Sequence, residues 1–165
     1  MKAGDIILVR GRGWASSMIR SLTRAPEEGV TRVTHCALAV DGTRVVEAVF
    51  PRGVVIQPYS GGEVWRPKNI PEYARRQIVG RALCQVGRPY GWGKIMLHAA
   101  DGVLGGAYIF RRFAHVDRWP ICSWLVAQSY ASEGYMFGVD ARAATPDDID
   151  DYVRENPHKY ENVNP

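Results

Sequence analysis

Cys122 is the side chain of this sequence best placed for nucleophilic chemistry. Trp119-Pro120 marks a turn, and an amphipathic helical pattern starts on the cysteine itself. Cys122, Leu125, Val126, Ser129 and Tyr130 fall on one helical stripe. A thiol at a helix N-terminus meets unpaired backbone N–H groups and the positive end of the helix dipole. Both lower its pKa from about 8.5 toward neutrality or below. On local pattern alone Cys122 is either a nucleophilic thiolate or a small buried hydrophobe, as most free cysteines are.

A cysteine nucleophile needs a base within hydrogen-bond reach, and the base needs a group to orient it. Four histidines are available. His158 lies in a polar C-terminal stretch, His98 in an ambiguous one, and His115 is near Cys122 only along the chain. His35 begins an otherwise apolar strand, Cys36-Ala37-Leu38-Ala39-Val40. A polar ring there needs a partner, whether it serves as the base or as a core histidine bonded to backbone. Glu47, flanked by Val45-Val46 and Ala48-Val49, is the natural partner, because a carboxylate among apolar residues is costly unless paired.

Geometry decides between two roles for Glu47. A two-residue turn at Asp41-Gly42 pairs position 36 with 47 and puts Glu47 on the face away from His35. A three-residue loop, Asp41-Gly42-Thr43, pairs 37 with 47 and puts both side chains on one face, diagonal to each other. Only the second register, or an equivalent bulge, allows a catalytic pair. Tyr90, in Gly87-Arg88-Pro89-Tyr90-Gly91-Trp92-Gly93, offers a phenol that donates to an oxyanion beside the Cys122 backbone, or else packs with its hydroxyl in water. Trp14, Trp92 and Trp124 are groove walls or packing residues. Cys36 points to the other face from His35 and Cys84 lies mid-helix, so both read as core. No HExxH and no His or Cys pair at ligand spacing suggests a metal site.

The elements that must hold these residues follow from pattern. Residues 5–10 form a buried strand, and residues 14–23 a helix after Gly11-Arg12-Gly13. That Gly-x-Gly lacks the third glycine and the later acidic residue of a dinucleotide fold. Residues 32–40 and 43–50 form a hairpin around Asp41-Gly42. Residues 53–57 and 63–66 add two strands, giving an antiparallel meander over 33–66. Pro71 opens a helix at its first position, with Val79, Ala82, Leu83 and Val86 as its buried stripe and Gly87 as its end. Residues 94–118 are ambiguous between helix and lid. The Cys122 helix runs to 133 and stops at Gly134. Thr145 caps a last helix through 153, and a loose tail starts at Asn156.

The 165 residues suit one domain, over 1–155, with a polar tail over 156–165. Three cysteines without a CxxC pair make no disulfide framework and fit a reducing compartment. The net charge of +4 is uneven: residues 138–165 hold three Lys/Arg and seven Asp/Glu, a net of −4, which leaves +8 on the first 137. A basic body suits an anionic polymer or membrane surface, but no nucleic-acid motif is present. The first apolar run is too short for a signal peptide, and no window is long and apolar enough to span a membrane. The expectation is a protein cytoplasmic as synthesised, reaching any outside target by lysis or in a phage particle.

Four motifs in order resemble a known family, the NlpC-type papain-like cysteine hydrolases, in their circularly permuted YiiX-like branch. They are Gly4-Asp5-Ile6-Ile7, the His35 strand, Glu47-Ala48, and the pair Pro89-Tyr90-Gly91-Trp92-Gly93 with Ile121-Cys122-Ser123. The resemblance covers about residues 4–135. Ile121 and Trp124 depart from it, since the family usually has aspartate or tyrosine before the cysteine and a small or acidic residue at the second. The resemblance implies an α+β, papain-like fold: a strongly bent antiparallel sheet with the Cys122 helix packed on it. It implies Cys122 as nucleophile, His35 as general base and acid, Glu47 as orienting residue, and Tyr90 on the oxyanion side. No metal or cofactor is implied. The expected reaction is hydrolysis of an amide bond, foremost in peptidoglycan peptides. Relatives that cleave acyl esters make a lipid-directed hydrolase or acyltransferase, with Trp14, Trp92 and Trp124 along an acyl groove, the alternative. A catalytically silent binding or structural module is the third expectation.

Overall fold

Ile6, Ile7 and Leu8 are all buried, so strand β1 (Ile6–Val9) is apolar on both faces. Such a strand belongs inside a sheet, not at its edge. The computed structural model, which describes residues 1–10, 33–91 and 120–164, has β1 in that position. It pairs antiparallel with β2 (His35–Ala39) on one side and with β5 (Glu63–Pro67) on the other. Beyond β2 lie β3 (Arg44–Val49) and β4 (Gly53–Pro58); beyond β5 lies β6 (Tyr160–Asn162). Among the described residues the sheet is six-stranded in the order β4-β3-β2-β1-β5-β6, and its pairs are antiparallel. The expected meander over 33–66 is therefore correct only for β2, β3 and β4. The next strand leaves β4 and crosses to β1, whose doubly apolar faces need neighbours on both edges.

Three helices are described. In α1 (Glu72–Leu83) Pro71 is the N-cap, with φ −66° and ψ 155°, not the first helical residue. The buried positions are Ala74, Arg75, Ile78, Val79 and Ala82. Val86, expected in that stripe, is 42% exposed, because the helix ends at Leu83 and turns follow. Cys84, at the C-cap, is exposed instead of core.

The helix α2 (Cys122–Ala131) does not have the single buried stripe expected of it. Cys122, Ser123, Trp124, Leu125, Val126, Ala127, Ser129 and Tyr130 are all buried. It packs on β2, β3, α1 and on α3 (Pro146–Glu155), and a helix covered on several sides is apolar nearly all round. Thr145 caps α3 in a capping box with Asp148, as expected for its N-cap. The loose tail expected from Asn156 instead returns to the sheet as β6, with Tyr160 buried. The helix expected over 14–23 and the ambiguous stretch 94–118 lie outside the described residues. Among the described residues no helix is long and apolar enough to cross a membrane.

Candidate active site

The hairpin register brings His35 and Glu47 together. Leu38 pairs with Val46 and Ala39 with Val45, so the count that pairs 37 with 47 holds. Asp41 explains why the loop has three residues and not two. Its Oδ1 accepts from the backbone N–H groups of Thr43 and Arg44, both at 2.9 Å, and its Oδ2 accepts from Arg44 Nε at 2.8 Å. Such side-chain capping of a turn competes with the tighter Asp-Gly hairpin. His35 and Glu47 thus share a face, and His35 Nε2 is hydrogen-bonded to Glu47 Oε2.

Glu47 is held in turn by β4. Gln57 pairs with Val45, so it sits diagonal to Glu47 on the same face, and its Nε2 donates to Glu47 Oε1. Arg52 Nη2 donates to Gln57 Oε1 at 3.2 Å. Sequence reasoning missed Gln57, although the diagonal rule applied to the β3–β4 pair points to it. Burial pushes the Glu47 carboxyl up, but hydrogen bonds from His35 and Gln57 and the charges of His35 and Arg52 outweigh that and hold it low.

Cys122 is 5% exposed, and Ile121 gives its helix no side-chain cap. The N-cap side chain therefore takes none of the backbone N–H groups of the first turn. The thiol meets β2 at its first two residues, His35 and Cys36. With Nε2 on Glu47, Nδ1 is the ring nitrogen left for Cys122. Burial pulls the His35 pKa down, yet the charge of Cys122 and hydrogen bonds to Cys122 and Glu47 push it up to about 10. Cys122 moves the opposite way: hydrogen bonding from Cys36, opposed by burial and reinforced by His35, takes it well below the ordinary thiol value. The arrangement favours a thiolate beside an imidazolium.

Cys36 is buried in the core on the α2 side of the sheet, as its alternation with His35 predicts. It is also a site residue, which alternation does not reveal. Burial, and then the neighbouring Cys122, push its thiol up, so it stays protonated beside the Cys122 sulfur. The one signal for this in the sequence is its adjacency to His35.

Tyr90 is half-buried and also close to Cys122. Its loop is tied to β4 by Val54 N–H to Arg88 O and Gly87 N–H to Val54 O, each 2.9 Å, and to the residue pair before Cys122 by Gly91 N–H to Pro120 O at 3.0 Å. Burial, then the charges of Cys122 and Cys36, push the phenol up, so it remains an O–H donor. Trp124 is buried and lines a cleft between α1 and α2 that does not include Cys122. Trp14 and Trp92, the other expected groove residues, lie outside the described residues. No family model and no curated protein matches this chain.

Proposed function

We propose that this protein is a cysteine hydrolase of papain-like, permuted NlpC-type architecture, acting on an amide bond through Cys122, His35 and Glu47. The observation that carries the reading is the His35–Glu47 hydrogen bond, made in the one register that allows it, with the Cys122 thiol beside the same ring. Thiolate attack on the carbonyl carbon gives a tetrahedral oxyanion. The open N-terminus of α2 and the Tyr90 hydroxyl are its donors. The His35 imidazolium protonates the leaving amine as the C–N bond breaks, leaving an acyl-thioester. Neutral His35 then takes a proton from water, which attacks the thioester and returns the Cys122 thiolate and a carboxylic acid. Glu47 holds the ring and stabilises its positive charge, as the third residue of a triad does.

The substrate proposed is a peptide of peptidoglycan, an anionic wall polymer that suits the basic first 137 residues. The test is incubation with peptidoglycan fragments and, in parallel, with phospholipids, read by mass spectrometry. New peptide termini that require Cys122 are expected. Release of fatty acid alone would move the proposal to acyl-lipid chemistry. Full turnover by a folded Cys122→Ala variant would end the enzyme reading.

A further inference from the structure

A second concave site lies at the other end of α2 from Cys122. The helix has 10 residues, so its ends are about 15 Å apart. The chain that leaves α2 faces the end of β5 and the turn from α3 into β6 across a cleft of about 330 Å³. Ile70, which is buried, and Met136, which is exposed, give it apolar walls. The same cleft is lined by Tyr152, Lys159 and Tyr160. A lysine ammonium donates hydrogen bonds and never accepts them. Lys159 Nζ lies 3.1 Å from the Tyr152 hydroxyl oxygen, so that oxygen is the acceptor and the Tyr152 O–H is left for another group. The ammonium keeps two more N–H groups. Tyr160 packs edge-on against Tyr152, with ring centroids 6.0 Å apart. Burial, then the neighbouring phenols of Tyr152 and Tyr135, push the Tyr160 hydroxyl up, so it stays an O–H donor. Among the described residues neither of these two phenol O–H groups donates a hydrogen bond.

We infer that this cleft binds a small organic acid, a carboxylate on a short apolar body. The carboxylate only accepts, and it meets three donors: the Lys159 ammonium, whose bond is charge-assisted, and the Tyr152 and Tyr160 hydroxyls. A group that only donates would face the same three hydrogens and gain nothing from them. The carbon body lies against Ile70, Met136 and the Tyr135 ring, where leaving water stabilises it by about 25 cal/mol per Å². Small-molecule sites run from about 300 to 1,000 Å³, so this one takes a single acylated amino acid or the last residue of a peptide. Both sources present the same chemistry, a carboxylate beside one apolar side chain. The site does not depend on catalysis at Cys122.

The experiment is an NMR titration of the full chain with N-acetylleucine, its neutral amide, acetate, N-acetylglucosamine and the peptide acetyl-alanyl-alanyl-leucine. The reporter is the Met136 methyl group, assigned with Met136→Leu. N-acetylleucine is expected to shift it saturably. Its amide lacks the charge and acetate lacks the apolar body, so each is expected to bind about tenfold or more weakly. N-acetylglucosamine is expected not to bind. A peptide that binds like N-acetylleucine assigns a peptide C-terminus, and one that does not bind assigns a free acid. Cys122→Ala is expected to bind equally well, so failure here and failure of the hydrolase reading are separate results. Lys159→Met is expected to weaken binding about tenfold or more, and Tyr152→Phe to weaken it by a smaller factor. The Lys159 side chain is exposed, so the fold is expected to survive, checked by circular dichroism; if that variant unfolds, Tyr152→Phe alone decides. An unmoved methyl signal with N-acetylleucine, equal binding of its amide or of the sugar, or unchanged affinity in the deciding variant would overturn the inference.

Discussion

Cys122 and His35 shift each other, and the consequence is a pH profile unlike that of a free thiol. Cys122 loses its proton well below the ordinary thiol range, while His35 keeps its own up to about 10. Between the two, the thiolate and imidazolium coexist; acid removes the first and alkali the second. Alkylation of Cys122 by iodoacetamide is therefore expected to be on its plateau at neutral pH, with exposed Cys84 still rising through the ordinary thiol range. A Cys122 profile centred in the same range as that of Cys84 would contradict the pairing. Because hydrogen bonding from Cys36 is the largest cause of the lowered value, Cys36→Ala is expected to move the Cys122 midpoint up, and Cys36→Ser, which keeps a donor, to leave it lower than Cys36→Ala does. Replacing Glu47 by Gln removes the charge behind the ring. The expected loss in kcat/KM is on the order of 10²-fold or more, with the fold retained. A loss under about threefold would make Glu47 a structural residue only.

At the scale of elements, the site depends on two loops. The Asp41 loop sets the register of β2 against β3, and a one-residue slip would turn Glu47 away from His35. That choice was legible as a geometric fork, since both loop lengths were compatible with Asp41-Gly42-Thr43. The choice itself lay in which N–H groups the Asp41 carboxylate takes, a local competition that periodicity does not rank. Gln57 and Cys36 were harder to read. One acts through a diagonal contact with a third strand, and the other through a helix that arrives from far along the chain. The second loop carries Tyr90 and rests on Gly53. That glycine has φ +80°, and a Cβ there would lie 2.1 Å from the Arg88 carbonyl oxygen. Gly53→Ala is expected to destabilise by more than about 2 kcal/mol in urea unfolding, since a left-handed alanine costs about 1–2 kcal/mol before any clash. It should also lower turnover by displacing Tyr90. Gly80, inside α1 with open space around its Cβ, is the control. Gly80→Ala is expected to stabilise by about 0.5–1 kcal/mol. A similar sign for both variants would show that the Arg88 contact yields easily.

At the scale of the molecule, the N-terminal segment ties the parts together. The apolar pattern of residues 5–10 identified a buried strand, but not which strands it separates, because pairing partners distant in sequence leave no local trace. Asp5 helps to fix that placement. Its carboxylate is fully buried and accepts from Arg66 Nε and Nη2 at 3.1 and 2.7 Å, from Arg75 Nη1 at 3.3 Å, and from the Lys2 backbone at 2.7 Å. Arg66 stands on β5 and Arg75 on α1, while Tyr130 of α2 donates to Gly4 O at 2.5 Å. One carboxylate thus joins the N-terminus, the sheet and the helix that packs beside α2. Arg75, 8% exposed, also donates to Ala3 O and Pro67 O, so it stays in place if Asp5 is removed, with its charge uncompensated. Breaking a buried pair on one side costs about 3–5 kcal/mol, against a total stability of about 5–15 kcal/mol for a domain. Asp5→Ala is therefore expected to lose about 3–5 kcal/mol in urea unfolding, although Asp5 touches neither Cys122 nor His35. The Glu72–Arg76 pair, 65% and 75% exposed, is the comparison: Arg76→Ala is expected to change stability by less than about 0.5 kcal/mol. If Asp5→Ala cost no more than Arg76→Ala, the arginines would be relaxing into water, and the position of β1 would rest on its apolar faces alone.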